Sequence, residues 1–247
     1  MKTGYVFGAV SLLATAMWAQ GDMAQQVQKK LGSGRFKDVH VTSDGGNVTL
    51  SGSVRVLADK MDAENKARHA DHVSNVNNQI QVSTSAPDAE LQRKLSQKIS
   101  FDRVGYEGDN PAFSAFQVHV NNGNVTLDGT AYNYQDRSAA ITDIEDTPGV
   151  KSLTENVEVA PTSINDDELR VELFRRIYGD NVLGRYASDP AKPIRIVVIN
   201  GHCTLYGTVD REMDKNIAGI RAKEVPGVFS VDNRLVVAEQ HGKGKEG

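Results

Sequence analysis

Cys203 is the only cysteine in the chain, so no disulfide can form within it. Its folded parts must be held by core packing alone. A basic excess is missing as well: the formal net charge is −4, where a dedicated nucleic-acid binder carries a surplus of Lys and Arg. Only 7 prolines occur in 247 residues and hydrophobic residues make up 39%, which argues against a disordered chain. Past the N-terminus, no apolar run approaches the roughly 20 residues that a bilayer span needs. Paired carboxylates for acid–base work, a phosphate-cradling glycine loop and a nucleophile-elbow motif are all absent. The closing "GKGKEG" is too short and polar for a phosphate loop, and 239–247 read as a disordered tail. These absences argue against an enzyme, a cofactor and a nucleic-acid partner.

What is present begins with Met1, Lys2 and Thr3, then the apolar "YVFGAVSLLATAMWA" and the polar "QGDMAQQ". One positive charge, a short apolar core and small residues at Ala14, Ala16 and Ala19 describe a secretory signal peptide over 1–19. Cleavage would leave a periplasmic protein, and retention of the segment would anchor it to a membrane.

The phrase "NGNVTLDG" at 122–129 recurs as "NVTLSG" at 47–52 and "NGHCTLYG" at 200–207. Its final glycines, Gly52, Gly129 and Gly207, stand 77 and 78 residues apart, and the surrounding sequence keeps that register. Leu91, Leu95 and Ile99 match Leu169, Leu173 and Ile177 at i, i+4 and i+8, one face of a helix. Met23, Val27 and Leu31 offer the same spacing in repeat one. Asp88 and Asp166 stand where N-caps belong.

A hairpin follows. Val118, Val120, Val125 and Leu127 alternate with polar residues around Asn122-Gly123, a dipeptide that accepts the positive φ of a two-residue turn. Ile196, Val198, Cys203 and Leu205 repeat the pattern around Asn200-Gly201. Repeat one has Val39, Val41, Val48 and Leu50, with a longer "TSDGGN" connection expected. A second helix buries Ala63 and Ala67, Ala140 and Ile144, or Ala218 and Ala222. A closing strand ends each unit, and Gly149 and Gly227, each behind a proline, are placed to end the helix before it. His72 replaces that glycine in repeat one, so a different junction is expected there.

The expected fold class is therefore α+β: three tandem small αββαβ domains at 22–84, 88–160 and 166–238, with helices on one face of a small sheet. Domains of this size are marginal alone, so neighbouring repeats are expected to touch.

The hairpin phrases "GHCTLYGTV" and "GNVTLDGTA", with "EVPGVFSVDNRLVV" and "DTPGVKSLTENVEV", resemble the BON domain. The likeness is closest in repeats three and two, and weakest in repeat one. It implies an α+β domain, usually exported and without catalytic residues, tied to envelope maintenance, osmotic stress and binding of phospholipid or other envelope components. It also implies that Gly52, Gly129, Gly207, Gly149 and Gly227 are fold determinants. The expected role is non-enzymatic envelope binding or scaffolding, with anionic phospholipid or another envelope component as partner, and other envelope proteins besides. The alternative is a chaperone-like or structural module that engages proteins through exposed sheet edges.

Few residues offer chemistry. His69 and His72 form an i, i+3 pair, and His40 and His119 share an outward strand face. A helix-end dipole and solvent exposure account for them better than a metal does. Cys203 takes the place of Val125 and reads as a small buried hydrophobe. Two inserts before the hairpins, "FDRVGYEGDNPAF" and "DNVLGRYASDPAKP", carry Tyr106 and Tyr186, which either pack on the sheet or offer a partner surface. A basic stripe runs along the first helices: Lys29 and Lys30; Arg93, Lys94 and Lys98; Arg170, Arg175 and Arg176. Glu90, Glu168 and Glu172 dilute it, so a solvated helix face accounts for it better, and the alternative is contact with anionic lipid head groups.

Overall fold

A computed structural model describes residues 23–83, 86–101, 111–187 and 193–238. The expected signal peptide, Tyr106 and the tail at 239–247 lie outside the described residues. The chain is α+β, built from αββαβ repeats, and it divides into two compact units. One comprises Met1–Pro87 with Glu145–Ser152, the other Asp88–Ile144 with Leu153–Gly247.

In the first unit, α1 (23–31) precedes β1 (Val39–Asp44), β2 (Asn47–Val54), α2 (Leu57–Arg68), β3 (Asn75–Asn78) and β4 (Gln81–Val82). β1 and β2 form an antiparallel hairpin in which Val41 faces Leu50. β3 and β4 return parallel to β2, with Val48 opposite Val76 and Val54 opposite Val82. A parallel return needs a crossover, and α2 supplies it. Val27 and Leu31 of α1, Ala63 and Ala67 of α2, and Val48, Leu50 and Val76 of the sheet share one buried cluster. Both helices thus cover the same sheet face, while His40 and Thr42 on the other face are exposed.

The hairpin of repeat one is not longer than the others. β1 runs through Thr42 and Ser43 to Asp44, which pairs with Asn47 across Gly45-Gly46. Those glycines have φ of 52° and 88°, against 51° and 78° at Asn122-Gly123 and 52° and 76° at Asn200-Gly201. All three are the same two-residue turn with both central residues at positive φ.

The second unit holds repeat three and repeat two apart from Glu145–Ser152. Repeat two comprises α3 (Asp88–Phe101), a 3-10 turn (Pro111–Phe113), β5 (Ala115–Asn121), β6 (Asn124–Ala131), α4 (Tyr134–Glu145) and β7 (Ser152–Val159). Repeat three comprises α5 (Ile164–Tyr178), a 3-10 turn (Gly184–Ala187), β8 (Arg195–Ile199), β9 (His202–Tyr206), β10 (Thr208–Val209), α6 (Glu212–Lys223), β11 (Ser230–Asn233) and β12 (Val236–Val237). The sheets run β5-β6-β7 and β11-β9-β8, with β10 pairing β12. One buried cluster joins Leu173, Ile177, Ile196, Cys203, Leu205, Ala218 and Ala222 to Ala112 and Phe113 from repeat two. The Phe113 ring meets Tyr132 edge-on at 5.7 Å and Phe174 of α5 at 6.5 Å. Repeats two and three therefore share a core through the segment just before β5.

The strand glycine of each hairpin is dictated by a close approach. At Gly129, φ is 130°, and a Cβ there would lie closer than 3.0 Å to the carbonyl oxygen of Ala115 on the facing strand. Gly52 meets Asp38 and Gly207 meets Pro193 in the same way.

Gly149 and Gly227 do not end their helices. α6 stops at Lys223, and Val225-Pro226-Gly227-Val228 then forms a separate turn in which the Val228 N–H donates to the Val225 carbonyl at 3.3 Å. Proline second and a positive-φ residue third describe a type II turn. Thr147 to Val150 repeats it at 3.4 Å, and so does Ala70 to Val73, where His72 sits at φ 62° in the glycine's place. The junction in repeat one is thus the same turn, made with a residue that fits it less well.

Candidate functional site

The turns of the second and third hairpins are tied down by aspartates. Ser163 is the N-cap of α5, its side chain accepting the Asp166 N–H at 3.2 Å, so Asp166 lies inside the first helical turn and not at the expected cap. The buried Asp166 carboxylate reaches the β8–β9 turn and accepts the N–H groups of Asn200 at 2.9 Å and Gly201 at 2.8 Å. Asp88 at the start of α3 does the same for Asn122 at 2.6 Å and Gly123 at 2.9 Å. A turn with successive positive φ angles aims two N–H groups the same way, and a carboxylate near a helix N-terminus satisfies both.

Arg170, one turn further along α5, is only 2% exposed. Its guanidinium donates to the Val198 carbonyl at 2.5 Å, pairs with Asp167 and lies 5.0 Å over the Tyr132 ring. It is a core cation and leaves the expected surface stripe. Of the two readings open for Tyr186, packing holds and the partner surface does not, since it is 3% exposed. Its side chain reaches the start of α6, where the hydroxyl donates to Asp214 at 2.8 Å and accepts the Asp210 N–H at 2.8 Å.

Asp214 is fully buried, with Arg185 and Arg211 as ion-pair partners. Burial alone would raise its carboxyl, yet hydrogen bonds from Tyr186 and Arg211 and the charge of Arg185 hold it below the usual range. The same register holds Asp136, bonded to the Ser114 hydroxyl, and Asp59, paired with Arg35 at 3.0 Å. In each repeat a buried aspartate opens the second helix and takes its partner from the segment before the hairpin. The trio stands at separations of 77 and 78 residues, which mark it in the sequence as clearly as they mark the glycines.

The remaining cations divide sharply. Lys30 donates to the His69 carbonyl, and Lys98 pairs with Asp143 at 3.4 Å. Arg175 and Arg176 share Glu172 at 3.9 and 3.2 Å. Lys29, Arg93 and Lys94 are exposed and make no ion pair among the described residues.

Where α5 begins, a groove of about 660 Å³ opens between that helix, the β8–β9 turn and the Pro226–Phe229 segment. Leu169, Pro226, Gly227 and Phe229 give it an apolar wall, and Asp166, Glu168 and Glu172 line it with carboxylates. Phe229 is 77% exposed yet fixed: its N–H donates to the Gly201 carbonyl at 2.9 Å, and its ring meets His202 edge-on at 5.9 Å. The register places Ser74 and Lys151 at this position in repeats one and two.

The BON domain profile matches residues 20–84, 87–161 and 180–239. The chain belongs to the BON domain family. BON domains are non-catalytic binding domains, associated in general with the envelope and with phospholipid, and are often periplasmic. The third BON match starts past α5 and so leaves out the helix that carries Asp166 and Arg170. Among solved structures, the C-terminal domain of CdsD, the structural protein of the type III secretion system of Chlamydia trachomatis, is 15% identical. That match covers 94% of this chain and 100% of that one at a TM-score of 0.25. A second CdsD structure, also 15% identical, covers 88% of this chain and 92% of that one at 0.24. No curated protein matches.

Within the BON repeats the chemistry is quiet. Burial pushes the Cys203 thiol up to about 12, which removes thiolate character at neutral pH. The Tyr178 phenol, donating to the Ile194 carbonyl at 2.8 Å, is likewise pushed up to about 12 by burial. Among the described residues no three His, Cys, Asp or Glu side chains group as a metal site. No described helix is long and apolar enough to cross a membrane.

Proposed function

We propose that this BON protein is an exported, non-enzymatic envelope-binding protein that associates with anionic phospholipid through the outward face of α3. The observation that carries this reading is the contrast along the first helices. Arg93 and Lys94 are exposed with no ion pair among the described residues, whereas the outer arginines of α5 share Glu172. Each unpaired cation near an anionic surface contributes about 1 kcal/mol. Lys29 on α1 is the other such cation. Removal of 1–19 would deliver three BON domains, at 22–84, 88–160 and 166–238, to the periplasm, where protection against osmotic or envelope stress is the associated role.

Co-sedimentation with anionic and neutral vesicles in low and high salt tests it. Pelleting should be selective for anionic vesicles, weaken with salt, and fall in an Arg93→Ala, Lys94→Ala double variant. Equal pelleting with both vesicle types would end the electrostatic reading.

The second reading, protein engagement through a sheet edge, is favoured by β7. This eight-residue strand closes the β5-β6-β7 sheet and has no strand on its other side among the described residues. Unpaired edge groups invite strand addition. A proline at Thr154 that abolished protein capture while sparing vesicle binding would select this reading.

A further inference from the structure

We infer that the groove of repeat three is a docking site for an extended peptide segment in which basic and apolar side chains alternate. This goes beyond the phospholipid reading and concerns a different surface with the opposite charge preference. Three observations point there together. The groove holds about 660 Å³, room for a few side chains but not for a folded partner. Its apolar wall is unusual for this chain, because an exposed phenylalanine stands at the position that is Lys151 in repeat two and Ser74 in repeat one. Its polar lining is acidic: Asp166, Glu168 and Glu172 contribute carboxylates, and no lining residue is Lys or Arg.

An anionic head group is therefore a poor occupant. Asp166 already accepts two turn N–H groups, and Glu172 is engaged by Arg176, so Glu168 is the carboxylate best placed to meet an incoming cation. The Phe229 ring offers that cation a second attraction through its face, and its neighbours Leu169 and Pro226 receive the adjoining apolar side chain. The wall is also pre-formed. The Phe229 N–H is bonded to Gly201, and Gly201 is held by Asp166, so binding orders little backbone. A Cβ at Gly201 would come within 2.7 Å of the Phe229 ring, so the glycine that makes the turn also lets the ring lie flat across it.

The test uses the purified chain and two fluorescein-labelled decapeptides, one alternating lysine with leucine and one alternating glutamate with leucine, followed by anisotropy. The lysine peptide should bind, the glutamate peptide should not, and added salt should weaken the first. Phe229→Lys, which installs repeat two's residue on an exposed site, should weaken lysine-peptide binding at least about tenfold. Glu168→Gln should weaken it less, and Phe229→Lys, which adds an exposed cation, should not lower anionic-vesicle pelleting. Equal binding of the two peptides, or full binding by Phe229→Lys, would overturn the proposal. The Arg93→Ala, Lys94→Ala variant should bind the peptide normally, so failure of the lipid reading and failure of this one are separable.

Discussion

Asp166 Oδ1 accepts the Gly201 N–H at 2.8 Å across 35 residues of chain, fixing the start of α5 to the tip of the hairpin. Replacing Asp166 with alanine leaves two N–H groups of the turn unpaired beside a buried helix turn. The expected loss is about 1–3 kcal/mol, read as a lowered urea midpoint. Asp88→Ala should cost less, because Asp88 is half-exposed and water can take its place. Equal losses at the two sites would show that burial does not set the cost.

A strand glycine and a facing carbonyl make the second case. Gly129→Ala must move the Ala115 carbonyl or abandon φ 130°, a region closed to ordinary side chains. We expect repeat two to lose about 2 kcal/mol or more, the scale of other strained backbone positions. Ala131→Gly, two residues along the same strand, should be milder, since it introduces no clash. The comparison is made by denaturant unfolding of both variants.

The hairpins were legible in the sequence because period-two alternation and Asn-Gly are local signals. Val118, Val125 and Leu127 are buried as their spacing requires. Thr42 to Asp44 were misjudged as loop because their side chains are polar, yet their pairing with Asn47 to Thr49 is made by backbone groups. Burial of Tyr186 was one of its two expected readings, but Arg170 was out of reach for the opposite reason. A long cationic side chain reads as surface unless a buried partner exists, and its partners are the Val198 carbonyl and the Tyr132 ring, remote in sequence. The aspartates at 59, 136 and 214 carried a readable signal in their register, but a first-turn aspartate is common enough on helix surfaces to pass as solvent-facing.

His72 holds φ 62° where the other two repeats place glycine. A left-handed conformation costs a side-chain-bearing residue about 1–2 kcal/mol, partly offset by the extra freedom glycine has when unfolded. His72→Gly should therefore stabilise the first unit by roughly 0.5–1 kcal/mol, seen as a raised urea midpoint. The side chain is exposed, so no packing is lost. A lowered midpoint would mean that the imidazole makes an interaction worth more than the strain.

Phe113 belongs to repeat two by sequence and to the core of repeat three by packing. Phe113→Ala should cost about 3–5 kcal/mol, the usual range for a buried phenylalanine. The more telling readout is hydrogen exchange. Amides of β8 and β9 should lose protection together with those of β5 and β6, since one cavity would open beneath both repeats. Loss confined to repeat two would show that the two repeats unfold independently.

Asp214 gives the chain a specific acid sensitivity. Its folded carboxyl is held below the ordinary value, while the unfolded chain takes up that proton near pH 4. Between those limits the unfolded state binds more protons, so the contribution of Asp214 is complete above the unfolded value and is lost as pH falls through the folded one. Asp214→Asn should unfold more easily at pH 7, because a neutral amide leaves Arg185 and Arg211 without their counter-charge. Its stability should then fall less steeply than that of the native chain on going from about pH 5 to about pH 3. Urea midpoints measured at unit pH steps give the two slopes. Parallel slopes would move the acid sensitivity to other depressed carboxylates, of which Asp180, held down by the Val182 N–H and Arg221, is the first to examine.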